Sequence, residues 1–222
     1  MIVDQLPGLL QAKHDIDQVG VSTLLSALGL IIVKHNLEAV VQVRLHHGHF
    51  RMNPNELLCS AQGNSSISST PKLICEASDD LPIEWMFTKS VGWHPIQFMS
   101  YDCSETRKQS AALLASVIEN NSFLGDFATA LSDLGLDSKI GFILRPNDLI
   151  AKLQKGQVLV ERSGDGPSQL VARPELVTSS DDDCIEAAWD IEGGKEPNTP
   201  VNAKCAYNCS GRDHCVKTHV TY

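Results

Sequence analysis

Short runs of β-branched and apolar residues recur along this 222-residue chain, and turn residues separate them. The clearest two runs, 157–162 and 169–172, flank Gly164-Asp165-Gly166, which is typical of a hairpin turn. Because a tight hairpin joins antiparallel neighbours, this pattern favours antiparallel pairing. Neither G-x-G-x-x-G nor G-x-x-x-x-G-K-[ST] occurs in the chain, so a doubly wound nucleotide fold is not expected.

Strands outnumber helices in the prediction. Further strands are predicted at 39–50, 72–77, 84–88, 93–100, 139–144 and 184–191, with a polar loop at 63–70. One helix is predicted at 17–35 with Asn36 as its cap, and two apolar stripes predict helices around 111–118 and 123–134. We therefore expect an α+β fold, a mostly antiparallel sheet with helices packed on it in a single domain at 1–192. A linker and a Cys/His-rich tail follow at 193–222.

The charge balance narrows the choice of partner. Eighteen basic residues stand against 27 acidic ones, and the net charge of −9 disfavours both nucleic acid and an anionic membrane surface. The N-terminal residues show no secretion signal, and the most apolar stretch, 19–33, is too short to span a bilayer. We expect a cytoplasmic protein whose partner is a small molecule, and the sequence leaves its oligomeric state open.

The densest functional signal is a histidine-rich segment at 41–50. Alternate side chains of a strand share a face, so His47 and His49 are expected to continue the apolar row of Val41, Val43 and Leu45. Two imidazoles that face the interior can act as an acid–base pair or as metal ligands. The alternative is a pair of hydrogen-bonded structural histidines near the end of the strand.

Three more side chains are candidates for the same site. His94, held in an extended Trp-His-Pro segment, can supply a third imidazole, although packing beside a tryptophan is the simpler interpretation. Glu161 and Glu186 lie in strand-like runs, where a carboxylate that faces a pocket can pair with a histidine. A glutamate that simply faces water is the alternative.

Seven cysteines are spread along the chain, an odd number that does not indicate a disulfide framework. The first four, Cys59, Cys75, Cys103 and Cys184, are expected to be small buried hydrophobic residues. The tail combines Cys205 and Cys209 with His214, Cys215 and His219, which are enough soft ligands for a structural zinc ion. A loose terminus without metal is the alternative.

The segments carrying these candidates resemble a mostly fungal set of small proteins. The shared features are an H-x-H-F segment, an A-x-W strand and a terminus with cysteine and histidine, here His47-Gly48-His49-Phe50 followed by Glu56, then Glu186-Ala187-Ala188-Trp189, then Cys205, Cys209, His214 and His219. The resemblance implies that the histidine pair and the terminus belong to one unit. By analogy it suggests a setting in secondary metabolism.

Three functions are consistent with these observations. The first is an enzyme that isomerises, cyclises or eliminates from a small organic molecule, with His47 and His49 as acid–base residues and no catalytic cofactor. The second is a metal-dependent enzyme in which both histidines are ligands. The third is a domain that binds a ligand or partner without catalysis.

Overall fold

The computed structural model describes residues 6–50, 52–53, 55–63, 66–77, 79–145, 157–163, 168–176, 184–191, 201–208 and 216–221. The α-helices in this part of the chain are α1 (Leu9–Val19), α2 (Val21–Lys34), α3 (Ser104–Ile118) and α4 (Asn121–Leu134). Among the described residues, no single helix is long and apolar enough to cross a membrane. α1 and α2 pass that test only as a pair, which is bent by 81°.

The strands of the described residues are β1 (Val41–Leu45), β2 (Glu56–Gln62), β3 (Ile67–Leu73), β4 (Leu81–Thr88), β5 (Gly92–Ser100), β6 (Ile140–Leu144), β7 (Gln157–Ser163), β8 (Leu170–Leu176), β9 (Cys184–Trp189), β10 (Val201–Asn208) and β11 (Val216–Thr221). They form one sheet in the order β1-β6-β4-β5-β2-β3-β8-β7-β11-β10-β9. Because β9 also pairs with β1, the sheet closes on itself and encloses a lumen.

The predicted fold class is confirmed. Most strand pairs are antiparallel, including the predicted hairpin of β7 and β8, and the parallel pairs are β2 with β5 and β7 with β10. The helices pack on the outside of the sheet, where their apolar residues share a core with β1, β6 and β9. This is an α+β domain with one closed sheet.

Several predicted elements differ from the structure. The helix predicted at 17–35 corresponds to α2, and α1, which ends at Val19, was not predicted. The two helices meet at Gly20, whose φ of 87° is readily reached only by glycine. The polar stretch predicted as a loop at 63–70 contains most of β3, and the strand predicted at 72–77 gives way to a 3-10 turn at Ile74–Glu76. The cap predicted at Asn36 is confirmed by its φ of 56°.

The predicted tail contributes two strands to the same sheet. β10 pairs with β9 and β7, and β11 pairs with β10 and β7. Residues 201–208 and 216–221 therefore complete the closed sheet, and they supply the link between β9 and β7.

Candidate functional site

β1 divides the helix-packed core from the lumen. Val41, Val43 and Leu45 point towards the helices and belong to the apolar core. The alternate residues Gln42 and Arg44 point the other way, as period-two geometry requires. All five residues of β1 are buried, because helices cover one face of the strand and the lumen lies on the other.

A buried arginine lies between two glutamates in the lumen. Arg44 Nε is 3.6 Å from Glu84 Oε1, and Arg44 Nη2 is 3.3 Å from Glu161 Oε2. Glu84 lies on β4 and Glu161 on β7, so three strands bring these charges together. Each residue is less than a tenth exposed, and charges buried in this way need one another as partners.

Burial and the neighbouring charges set the protonation of Glu84. Burial of the carboxyl raises its pKa from 4.5 to about 7, Arg44 acts to lower the pKa, and Glu161 adds to the rise. Glu84 therefore exchanges its proton near neutral pH. When it is protonated, the one charge of Arg44 is balanced by Glu161.

His46 completes this cluster. Its Nε2 is 3.3 Å from Glu84 Oε1, and neither ring nitrogen makes a hydrogen bond with another described residue. Burial, followed by the charges of Arg44 and His94, lowers the pKa of His46 to about 3, so the imidazole is neutral at ordinary pH. The ring occupies space that a side chain at Gly141 would fill, since a Cβ there would lie 2.4 Å from His46 Cε1.

A cavity of about 40 Å³, enough for a few water molecules, opens beside this cluster. Its lining includes the polar residues Arg44, His46, Glu84 and Gln97, together with Leu6, His47, His49, Phe50 and Met52. The inner charged residues are almost fully buried, whereas Leu6, His49 and Phe50 are half-buried. The cavity therefore leads from a partly exposed mouth to the buried Arg44–Glu84–His46 group.

A second cavity of about 50 Å³ lies on the other side of Arg44 and Gln97, which line both spaces. Gln97 Nε2 donates to Ser60 Oγ at 2.5 Å, and the Ser60 and Ser69 hydroxyls are 2.8 Å apart. These hydrogen bonds fix Gln97 in place. Arg44 and Gln97 therefore form a partition between two chambers of one polar lumen.

The structure brings His47 and His49 together at the mouth of the first cavity. β1 ends at Leu45, so the predicted strand at 39–50 is shorter than expected, and Gly48 makes an isolated bridge with Gly8. The rings of His47 and His49 have centroids 4.7 Å apart, and His47 Nδ1 donates to the Leu45 carbonyl at 3.1 Å. In the neutral ring, His47 Nε2 then carries the lone pair.

The other two predicted catalytic residues lie in different places. His94, on β5, is close enough to His46 to affect its charge, and its Nδ1 donates to the Gly92 carbonyl at 3.0 Å. Glu186, on β9, accepts from the Trp189 indole at 3.4 Å and lines a separate cavity of about 290 Å³ near α1. The structure therefore associates His94 with the lumen group, and it places Glu186 at another cavity.

The predicted zinc ligands are only partly within the described residues. Cys205 on β10 and His219 on β11 are register partners, whereas Cys209, His214 and Cys215 lie outside the described residues. Within the part of the chain that the structure describes, no group of three or more His, Cys, Asp and Glu residues is arranged to hold a metal ion. The zinc site stays a prediction.

The expected burial of the first four cysteines is correct for one of them and wrong for two. Cys59 is buried, and burial raises the pKa of its thiol to about 12. Cys75 and Cys103 are exposed, because Cys75 lies in the 3-10 turn and Cys103 precedes α3. The side chain of Cys184 is outside the described residues.

Sequence reasoning considered Glu161 as a candidate but missed its grouping with Arg44, His46, Glu84 and Gln97. Strand alternation puts Arg44 and His46 on the face of β1 opposite Val41, Val43 and Leu45, and no function was predicted for that face. A usable signal was present, because Glu84 interrupts an apolar strand between Ile83 and Trp85. What the sequence does not display is the closure of the sheet, which turns a polar strand face into a buried lumen.

Comparison with known proteins adds no assignment. No family model, curated protein or solved structure matches this chain.

Proposed function

We propose that this protein is an enzyme that isomerises a small carbonyl compound by moving a proton with Glu84. One observation carries the proposal: a buried carboxyl group at a cavity wall touches both a neutral imidazole and a guanidinium, at 3.3 Å and 3.6 Å. A general base is most effective when its pKa is near the working pH, and the pKa of Glu84 is raised to about 7. The setting we propose is cytoplasmic.

The proposed step uses only groups of this chain and consumes no other reactant. The Glu84 carboxylate takes a proton from the carbon beside a carbonyl, and the electron pair of the broken C–H bond moves to the carbonyl oxygen as an enolate. The Arg44 guanidinium faces the negative charge that develops there. The proton then returns from Glu84 to the same carbon or to a conjugated one, which restores the carbonyl.

His46 has a positioning role in this proposal. Because burial keeps the ring neutral, it adds no charge that would lower the pKa of Glu84. Its Nε2 lies against Glu84 Oε1, and Gly141 leaves the space that the ring occupies. His47 and His49 form a pair of imidazoles at the mouth of the cavity. In this proposal they contact the part of the ligand that is far from the carbonyl.

Deuterium exchange tests the proposal. The protein is incubated in D₂O with acetone, cyclohexanone or acetophenone, and deuterium next to the carbonyl is measured by NMR. We expect exchange of at least one ketone, at a rate that rises with pH through about 7 because the ionised form of Glu84 is the base. General base catalysis contributes about 10²- to 10⁴-fold, and Glu84→Gln should remove that factor.

Matched variants identify the proton carrier. Glu186→Gln changes a carboxyl group at a different cavity and should leave exchange unchanged. If His47→Gln or His49→Gln abolishes exchange and Glu84→Gln does not, a mouth histidine is the base and the proposal is wrong. Binding without any exchange would indicate the ligand-binding function instead.

A further inference from the structure

We propose that the substrate is an uncharged molecule with a flat apolar body and one carbonyl oxygen, and that it binds with the oxygen inward. This inference rests on the proposed function, because it concerns the same cavity. It adds the chemical class of the ligand and its orientation, which the acid–base step alone leaves open.

The polarity of the cavity changes with depth. Its buried lining carries Arg44, His46 and Glu84 beside the apolar Met52 and Ile96, whereas its half-buried lining is formed by apolar and aromatic side chains, namely Leu6, His49, Phe50 and Leu58. A ligand that satisfies both ends has one polar group and an apolar body. The inner end also sets the orientation, since the hydrogen-bonding groups lie there.

The size of the cavity agrees with this orientation. Its volume of about 40 Å³ holds a few water molecules, so the enclosed part has room for a small polar group and little more. The body of the ligand must therefore lie in the partly exposed mouth. There the Gly48 amide donates to the Pro7 carbonyl at 2.8 Å, which holds Leu6 beside the histidine pair.

The charges of the inner end favour an uncharged ligand. Arg44 is already between Glu84 and Glu161, at 3.6 Å and 3.3 Å. An anion would bring its charge close to these two carboxyl groups, and a cation would bring its charge close to Arg44. Either charge would be buried without a partner of its own, which is costly away from water.

Three aromatic rings follow one another along the mouth. The centroids of His47 and His49 are 4.7 Å apart, and those of His49 and Phe50 are 6.3 Å apart, with interplanar angles of 56° and 44°. Tilted rings at these separations offer faces and edges to a flat π-system. A flat ligand gains these contacts in the mouth, and a puckered ring of the same size gains fewer.

Binding measurements with four ketones test this class. The probes are acetophenone, cyclohexyl methyl ketone, 3-benzoylpropionate and 3-aminopropiophenone, which vary the flatness of the body and place a negative or a positive charge on the carbonyl side of the molecule. Affinities are measured by NMR titration of the full chain. We expect acetophenone to bind roughly two- to tenfold more tightly than the cyclohexyl compound, the range that one aromatic contact provides, and the charged probes to bind more weakly still.

Substitutions of single residues test which side chain provides the preference for the flat ketone. Phe50→Leu keeps an apolar side chain at the mouth and should reduce the preference for acetophenone over cyclohexyl methyl ketone. Phe98→Leu is the control, because Phe98 is half-buried and is not among the residues that line the cavity. Equal binding of the flat and puckered ketones, preferred binding of a charged probe, or no acetophenone binding up to its solubility limit would each overturn the inference.

The binding and exchange measurements distinguish an error in the proposed substrate class from an error in the proposed function. If acetophenone binds with the expected preference but exchanges no deuterium, the substrate class holds and the catalytic proposal fails. If Glu84-dependent exchange occurs equally in all four ketones, the catalytic proposal holds and the substrate class fails. Glu84→Gln should leave the preference for the flat probe in place while it removes exchange.

Discussion

Glu84 is a carboxyl group that the fold removes from water, and its burial raises its pKa to about 7. The folded state therefore holds this proton more tightly than the unfolded state, in which the pKa is the ordinary 4.5. The resulting contribution to stability is fully present below pH 4.5 and is lost as the pH rises through 7. Proton exchange by Glu84 near neutral pH and the loss of stability at higher pH have the same origin, which is the burial of the carboxyl group.

Glu84→Gln should remove this dependence, because glutamine fills similar space and does not ionise. Relative to the wild type, the variant should gain roughly 3 kcal/mol of unfolding free energy between pH 4.5 and pH 8, since each pKa unit is worth about 1.4 kcal/mol. Urea unfolding at both pH values measures the change. If the unfolding free energies of the wild type and of Glu84→Gln change equally with pH, the pKa of Glu84 is not raised by burial.

Glu56→Gln is the matched control for this measurement. Glu56 is only half-buried, and hydrogen bonds from the Asn53 amide and side chain lower the pKa of its carboxyl group. The ionised carboxylate of Glu56 therefore contributes to stability above pH 4.5, and this contribution is lost as the pH falls below 4.5. The pH dependence has the opposite sign to that of Glu84. Its substitution should leave the change between pH 4.5 and pH 8 as it is in the wild type.

Gly141 leaves the space in which the His46 ring lies. A Cβ added at Gly141 would lie within contact distance of the Trp85 carbonyl and 2.4 Å from His46 Cε1, so backbone must move to admit it. Gly141→Ala should cost about 3 kcal/mol or more of unfolding free energy. It should also displace His46 from Glu84, which NMR shifts of the imidazole would report.

Gly125→Ala is the corresponding control. Gly125 lies within α4, and nothing is within 4 Å of the Cβ that alanine would add. Because alanine favours a helix by up to about 1 kcal/mol over glycine, this substitution should be neutral or stabilising. If both alanine variants unfold at the same denaturant concentration as the wild type, the close packing around Gly141 is wrong.

At the scale of single residues, the sequence located part of the cavity lining and missed the charged group beside it. His47 and His49 were chosen as interior residues and do line the cavity. The charged group beside them was missed, because Arg44 and Glu161 are 117 positions apart and no local pattern connects them. Long-range pairing of strands brings such residues together, and one sequence does not display that pairing.

At the scale of elements, α4 was predictable because its ends carry local signals, whereas α3, which has no side-chain cap, begins earlier than predicted. Gly135, with a φ of 68°, closes α4, and Asn120 begins it by accepting a hydrogen bond from the Phe123 amide at 3.0 Å. The break between α1 and α2 was missed, because the apolar stripe runs past Gly20 and conceals the change of direction.

The serine-rich strand β3 was difficult to predict for a different reason. β3 was predicted as a loop because Ser68, Ser69 and Thr70 follow a polar stretch. In the structure Ser69 is buried, and its hydroxyl is 2.8 Å from that of Ser60 on β2. A strand that faces a polar lumen does not need the apolar alternation by which half-buried strands are recognised.

The N-cap of α4 provides a prediction at this scale. Asn120→Ala removes the side-chain acceptor for the Phe123 amide and should lower the unfolding free energy by about 1 kcal/mol. Asn120→Ser keeps an acceptor and should restore most of that loss. Asn121→Ala, one residue further and exposed, should have little effect. Urea midpoints compare the three, and equal values for all would rule out a stabilising cap.

At the scale of the whole molecule, closure of the sheet creates the lumen. β1 and β9 pair at only two register positions, Val43 with Trp189 and Arg44 with Ala188, and β3 joins β8 at three. These short pairings connect the first six strands to the last five. Arg44 and Glu161 lie on different sides of this connection, so the charged group also holds the two parts together.

Truncation after residue 200 tests this closure directly, because it deletes β10 and β11 and leaves β7 and β9 with unpaired edges. We expect a loss of several kcal/mol of unfolding free energy, together with weaker ketone binding, since Glu161 lies on β7. Deletion of Tyr222 alone is the control and keeps both strands.

A chelator added to the full chain separates the contribution of zinc from that of strand pairing. A fall in the unfolding midpoint of the full chain would support the predicted zinc, whereas an unchanged midpoint would assign the loss of stability to strand pairing. An unchanged midpoint in the truncated chain would mean that the two strands do not close the sheet.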